Sequence, residues 1–329
     1  MMRARIAGTG MCVPERVVTN FDLEKLMDTS DAWIRERTGI VERRFVEPGI
    51  GSADLGLGAS LMALEDAGKR PEDIDLIIFA TLSPEYPFPG SGCLLQAKLG
   101  LTGIGALDVR NQCSGFIYAL SIADQYVRTG MYRCVLVVGA EVQSIGLNLS
   151  TAGRDTAVLF GDGAGAVVVT PSADGSGILS THLHADGRYA KELWMEHPGC
   201  LRSPRLTPEM LTDGSLDPKM NGRAVFKHAV TRFCEAIEEA LQANELTVEQ
   251  VALIIPHQAN LRITEAVAER FGGMDKVYSN IHKYGNTTAA SIPIALHEAV
   301  KEGRVRKGDY VVLVAFGSGF TWASAVMKW

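Results

Sequence analysis

The chain repeats itself at half its length. Ala63-Leu64 followed by Leu76-Ile77-Ile78 returns as Ala240-Leu241 followed by Leu253-Ile254-Ile255, an offset of 177 residues. Ala119-Leu120 and Val135-Leu136-Val137-Val138 return as Ala295-Leu296 and Val311-Val312-Leu313-Val314, an offset of 176. An offset this steady across helix, turn and strand signals predicts two copies of one strand–helix unit, packed face to face. Leu76-Ile77-Ile78-Phe79-Ala80 is a continuous apolar run, as a strand covered on both faces requires. At 329 residues, 47% of them hydrophobic, the chain is long enough for two cores of ordinary size. The class expected is α/β, with halves at 1–172 and 173–329. Residues 186–221, rich in Pro, Gly and charge, read as an excursion between them.

The stretch Arg110-Asn111-Gln112-Cys113-Ser114-Gly115-Phe116 is the first candidate for chemistry. Ile104 to Val109 alternates like a short buried strand, and Phe116 to Val127 carries apolar residues at helical spacing. Cys113 therefore sits at a strand-to-helix corner, where unpaired backbone N–H groups favour thiolate over thiol. The plain alternative is a small buried hydrophobe. Aligning the copies sets Cys113 opposite Ala289 and Ala80 opposite His257, so equivalent corners carry different polar residues. His257, in Pro256-His257-Gln258-Ala259-Asn260, follows a buried strand, at the end where open α/β sheets bind ligands. Asn286, in Gly285-Asn286-Thr287-Thr288-Ala289-Ala290-Ser291, precedes a helix and is either its cap or a polar site residue. An N–H from the turn Gly317-Ser318-Gly319-Phe320 could join that of Cys113 as an oxyanion hole. Gly161-Asp162-Gly163-Ala164-Gly165 resembles a nucleotide fingerprint only superficially. A strand-like Val167-Val168-Val169 follows it instead of a helix, so close backbone packing between the halves is the better reading.

Several classes are excluded or disfavoured. The net charge of -6 gives no bulk attraction for nucleic acid. Six cysteines (12, 93, 113, 134, 200, 234) without a CxxC pair argue against a zinc site and a disulfide scaffold. No signal-peptide run and no membrane-length apolar stretch is present, so a reducing cytoplasm is expected.

Longer words resemble one family. Asp28-Thr29-Ser30-Asp31-Ala32-Trp33-Ile34, Phe160-Gly161-Asp162-Gly163-Ala164-Gly165-Ala166 and the His257 and Asn286 words are similar to those of β-ketoacyl-[acyl-carrier-protein] synthase III. So is Ala315-Phe316-Gly317-Ser318-Gly319-Phe320-Thr321-Trp322. The resemblance runs the full length in order and implies a thiolase-like five-layer αβαβα fold and a homodimer. It also implies initiation of type II fatty-acid synthesis: an acyl-CoA primer condenses with malonyl-[acyl-carrier protein] through an acyl-cysteine on Cys113. By the same resemblance His257 and Asn286 hold the enolate oxygen, Ser318 supplies an oxyanion N–H, and Phe316 is an apolar wall. Serine where glycine is often found at 318 makes its backbone angle a point to check.

Trp33, Arg37, Arg154 and Asn260 match contacts to CoA and its pantetheine arm, Phe88 a dimer-crossing cap on the acyl pocket, and Lys227 and Arg262 a docking patch for the acidic carrier. No cofactor or metal is implied, the thioesters being substrates. Gln143 to Asp155 departs from the family wording, so acyl-chain choice is not implied. A related condensing or acyl-transfer enzyme of secondary metabolism is the alternative. The Cys–His–Asn order also fits papain-like hydrolases, but their flanking words are absent. A degradative thiolase would want a second cysteine at Gly317-Ser318-Gly319, and a non-catalytic acyl binder would not need all three polar residues.

Overall fold

The computed structural model describes residues 2–329. Nine strands form two main sheets. The first holds β1 (Arg3–Cys12), β2 (Leu76–Ala80), β3 (Gly105–Val109), β4 (Val135–Glu141) and β5 (Gly163–Ser172), in the order β1-β5-β4-β2-β3. The second holds β6 (Gly177–Ala185), β7 (Val251–Pro256), β8 (Tyr310–Gly317) and β9 (Thr321–Lys328), in the order β6-β9-β8-β7. The two orders superpose strand for strand, antiparallel at one side and parallel at the other. The place of β3 is taken in the second sheet by a single parallel bridge, Ile254 to Val277. The repeat in the sequence is thus a repeat of topology.

Side-chain alternation explains the layers. Leu76, Ile78 and Ala80 of β2 join Val311, Leu313 and Ala315 of β8 in one central core, with α3 (Gly115–Arg128) and α6 (Ser291–Lys301) sandwiched between the sheets. Ile77 and Phe79 turn the other way, onto α2 (Ser52–Asp66). Val312 and Val314 turn onto α4 (Gly222–Ala243) and α5 (Leu261–Arg270). The result is helix, sheet, helices, sheet, helices: five layers, which is why the central strands carry no polar alternation.

Ahead of the first sheet's central strands, α1 (Asp31–Thr38) is capped by Ser30 Oγ accepting from the Trp33 N–H at 3.1 Å. The strand before Cys113, expected to be buried, is not. β3 is the outer edge of its sheet and Leu107 is 37% exposed, because among the described residues no strand pairs beyond that edge. The excursion at 186–221 forms one two-residue ribbon, Leu193–Trp194 with Lys219–Met220, and short turns.

Candidate active site

Cys113 lies in a one-turn 3₁₀ helix, Gln112–Ser114, between β3 and α3. Its counterpart in the second half is Thr288–Ala290, which leads into α6. Both turns begin on a non-glycine residue with left-handed backbone, Gln112 at φ +45° and Thr288 at φ +49°. The two are 176 residues apart, so the duplication has kept a costly local conformation as well as a strand order. The turns touch: a Cβ at Gly115 would lie 3.7 Å from Ala289 Cβ. Gly317, at the end of β8, closes over the sulfur, and a Cβ there would sit 2.7 Å from Cys113 Cβ and 3.2 Å from Sγ. Only glycine fits.

The sulfur receives the backbone N–H groups of Cys113 and Ser318. The sequence expectation was that such groups favour thiolate; here they lose. Burial, reinforced by the negative charge of Glu141, pushes the Cys113 thiol up to about 12. The resting side chain is a thiol. Serine at 318 carries no backbone strain, because the left-handed angle falls on Gly319 (φ +135°). Its hydroxyl donates to the Leu193 carbonyl, tying the excursion to this turn.

His257 follows β7, its N–H bonded to the Val314 carbonyl at 2.8 Å. Its Nδ1 meets Ser291 Oγ at 2.6 Å, and its buried Nε2 has no hydrogen-bond partner among the described residues. Burial lowers the imidazole to about 3, so the ring is neutral. Asn286 Oδ1 accepts the Thr288 N–H at 2.9 Å. That bond fixes the amide orientation, since an NH₂ group in that place would oppose another donor. Asn286 is therefore not the cap of α6. Its backbone is strapped to the other half, N–H to the Leu159 carbonyl at 2.8 Å and carbonyl to the Gly161 N–H at 3.1 Å. A Cβ at Gly161 would lie 2.3 Å from the Tyr284 carbonyl oxygen and one at Gly165 2.7 Å from the Ile294 nitrogen, so this glycine run is a contact between the halves.

Glu141 was not singled out from sequence. It ends β4, is wholly buried, and is the counterpart of Gly317 at the 176-residue offset. It accepts from the Leu82 and Ser83 N–H groups at 3.1 Å, Ser83 Oγ at 2.7 Å and the Ala289 N–H at 3.4 Å. With no cation beside it among the described residues, burial raises its carboxyl to about 7. The available signal was a lone acid closing an otherwise apolar strand.

The remaining residues form separate groups. The guanidinium groups of Arg37 and Arg154 lie 4.8 and 5.0 Å from the Trp33 ring centroid. A flat ring between Trp33 and Arg154 needs two contacts of about 3.5 Å, so Arg154, now donating to the Asp28 carbonyl at 2.7 Å, must swing out to admit one. Asn260 caps α5 by accepting the Arg262 N–H and donates to the Arg37 carbonyl, both at 2.9 Å, which joins α1 to α5. Lys227 and Arg262 are exposed on adjacent α4 and α5, Arg262 5.8 Å from the Phe226 ring. Phe316 is buried beside Phe320, centroids 4.8 Å apart. Phe88 stands 85% exposed on a loop.

This architecture is that of the thiolase-like condensing enzymes. A crystal structure of 3-oxoacyl-[acyl-carrier-protein] synthase III from Aquifex aeolicus matches with a TM-score of 0.91 and 46% identity, covering 99% of this chain and 100% of that one. One from Thermus thermophilus matches at 0.90 and 46%, covering 99% of each. Residues 107–187 match the family 3-oxoacyl-[acyl-carrier-protein (ACP)] synthase III, and residues 241–329 match its C-terminal part. A β-ketoacyl-[acyl-carrier-protein] synthase III of Caldanaerobacter subterraneus is 50% identical over 99% of this chain and 98% of its own length. The chain belongs to the β-ketoacyl-[acyl-carrier-protein] synthase III family, and with it to the acyl-transferring condensing enzymes of fatty-acid synthesis.

Proposed function

We propose that this chain condenses an acyl-CoA primer with malonyl-[acyl-carrier protein], losing carbon dioxide, through an acyl-cysteine on Cys113. The observation that carries the reading is a buried thiol facing two backbone N–H groups, with the turn Thr288–Ala290 packed against its own; Asn286 stands just ahead of that turn, and His257, whose Nε2 has no hydrogen-bond partner among the described residues, is tied to Ser291 just after it. In the first half-reaction Cys113 sulfur attacks the primer thioester, the N–H groups of Cys113 and Ser318 receive the oxyanion, and CoA leaves. In the second, malonyl thioester loses carbon dioxide and leaves an enolate, whose oxygen Asn286 Nδ2 and a protonated His257 Nε2 stabilise. Phe316 makes the cavity wall poorly solvating for carboxylate, favouring its departure as neutral gas. The enolate carbon attacks the acyl-cysteine. In balance, acyl-CoA, malonyl-carrier and one proton give β-ketoacyl-carrier, CoA and carbon dioxide.

Trp33, Arg37 and Arg154 suit a stacked adenine and its phosphates, and Asn260 suits the pantetheine amides. Lys227 and Arg262, with Arg223 one turn earlier on α4, give the acidic carrier the positive patch that the net charge of -6 lacks. A second copy would cover the unpaired edge of β3 and receive Phe88. The chemistry calls for no metal or cofactor, and for a compartment where thiols stay reduced; among the described residues no helix is long and apolar enough to cross a membrane.

The test is intact-mass measurement after exposure to a panel of acyl-CoAs, followed by addition of malonyl-carrier or malonyl-CoA. One acyl adduct, absent in Cys113→Ala and discharged by malonyl-carrier, is expected. Full condensation by Cys113→Ala refutes the nucleophile, and discharge by malonyl-CoA alone moves the protein to specialised metabolism. Asn286→Asp should cripple decarboxylation far more than acylation; equal loss of both removes Asn286 from the enolate.

A further inference from the structure

The hydrogen-bond chain beneath His257 decides which of its nitrogens carries the proton. A neutral imidazole has one N–H. Nδ1 lies 2.6 Å from Ser291 Oγ, and that oxygen lies 3.0 Å from the Thr288 carbonyl. A carbonyl only accepts, so the Ser291 hydroxyl hydrogen belongs on that line, leaving Ser291 only lone pairs to offer Nδ1. The Gln258 N–H, 3.4 Å from the same oxygen, asks for a lone pair as well. Turning the hydroxyl toward Nδ1 instead would leave two oxygens facing each other without a hydrogen in a site where Ser291 is only 2% exposed. Just one arrangement satisfies all three contacts.

We propose that Ser291 is a positioning residue that holds resting His257 as the Nδ1–H tautomer, so that Nε2 enters the cycle as an acceptor and takes the thiol proton of Cys113. The S–H bond breaks with its electron pair left on sulfur, and an N–H bond forms at Nε2. The sulfur attacks the primer, and CoA departs as a thiolate that takes its proton from solvent. The proton on Nε2 then faces the enolate oxygen and returns to the Cys113 thiolate that condensation releases. Nδ1 stays bonded to Ser291 throughout. A thiol pushed up to about 12 and an imidazole lowered to about 3 do not exchange a proton at rest, so transfer is coupled to carbon–sulfur bond formation. The tautomer itself is independent of the condensing-enzyme reading; only the proton's later route rests on it.

The test is ¹⁵N NMR of protein labelled at histidine, with His257 assigned by difference from His257→Asn. Resting protein should show a protonated, pyrrole-type Nδ1 and a bare, pyridine-type Nε2. Ser291→Ala, which removes the acceptor for Nδ1–H, should shift the population toward Nε2–H. It should slow acylation of Cys113 at least tenfold, while unprimed decarboxylation of malonyl-carrier, which uses an Nε2–H on the enolate oxygen, holds or rises. Ser291→Thr, which keeps a hydroxyl, should restore the tautomer and the acylation rate. A bare Nδ1 in the resting protein, or a Ser291→Ala variant whose decarboxylation falls as far as its acylation, would overturn the proposal. If no acyl-CoA acylates the wild-type protein, the function proposed above fails while the NMR result stands on its own.

Discussion

Gly139→Ala tests how tightly the two halves constrain the site. Gly139 lies in the middle of β4, paired with Ala80 on one side and Gly165 on the other, with φ in the ordinary range. Alanine therefore costs no backbone strain there and slightly restricts the unfolded chain. Its methyl, however, would sit 2.4 Å from the Ala289 carbonyl oxygen and 2.9 Å from the carbonyl carbon. Restoring an ordinary separation of 3.4 Å from 2.4 Å requires a displacement of about 1 Å. β4 is held by neighbours on both sides, so the turn Thr288–Ala290 must yield. Overpacking of this kind costs about 2 kcal/mol. The moving turn lies between Asn286 and Ser291, so decarboxylation should fall by about tenfold to a hundredfold. Gly146→Ala is the control, since a Cβ there meets nothing within 4 Å. Urea unfolding of both variants, with malonyl decarboxylation as the kinetic readout, checks the argument. Coincident midpoints, or a Gly139→Ala variant at full decarboxylation rate, would refute it.

Glu141→Gln should reveal a pH-dependent term in stability. The carboxyl is raised from 4.5 to about 7 in the fold, so the protonated form suits the core. The wild-type advantage is fully present below about pH 4.5 and disappears as pH rises through 7, a change of about 3 kcal/mol relative to the Gln variant. Urea midpoints of the two proteins from pH 5 to 8 measure it, and a pH-independent difference would contradict the assignment. Reversing charge at Lys227 and Arg262 together should raise KM for malonyl-carrier at least tenfold while leaving acylation by acyl-CoA within twofold. The effect should shrink with added salt, and equal loss of both rates would move the carrier's docking site elsewhere.

The doubled architecture was legible because strands covered on both faces must be apolar at every position. Val135–Val138 and Val311–Val314 therefore repeat as text. His257 was legible from its place after such a strand, and the glycines at 161–165 from the strand that follows them. What escaped was set by three-dimensional surroundings. The exposure of β3 depends on what covers a sheet edge, which local alternation does not encode. The protonation of Cys113 depends on how much water the second half excludes and on a carboxylate 28 residues away in sequence. Ser291 was visible only as the last letter of a familiar word; the proposed role needs the 2.6 Å contact between the start of α6 and the end of β7. The close spacing of Arg154 on Trp33 is likewise a property of side-chain placement.

Positions 317 and 141 are the same place in the two halves, yet they have opposite contents. Glycine at one makes room for a sulfur; glutamate at the other fills the room and occupies the amides of Leu82, Ser83 and Ala289. Copying Gly317 into position 141 would hollow out an anion-sized vacancy ringed by those amides. The fold would then own a spare receptor on its inactive side, ready-made for redesign.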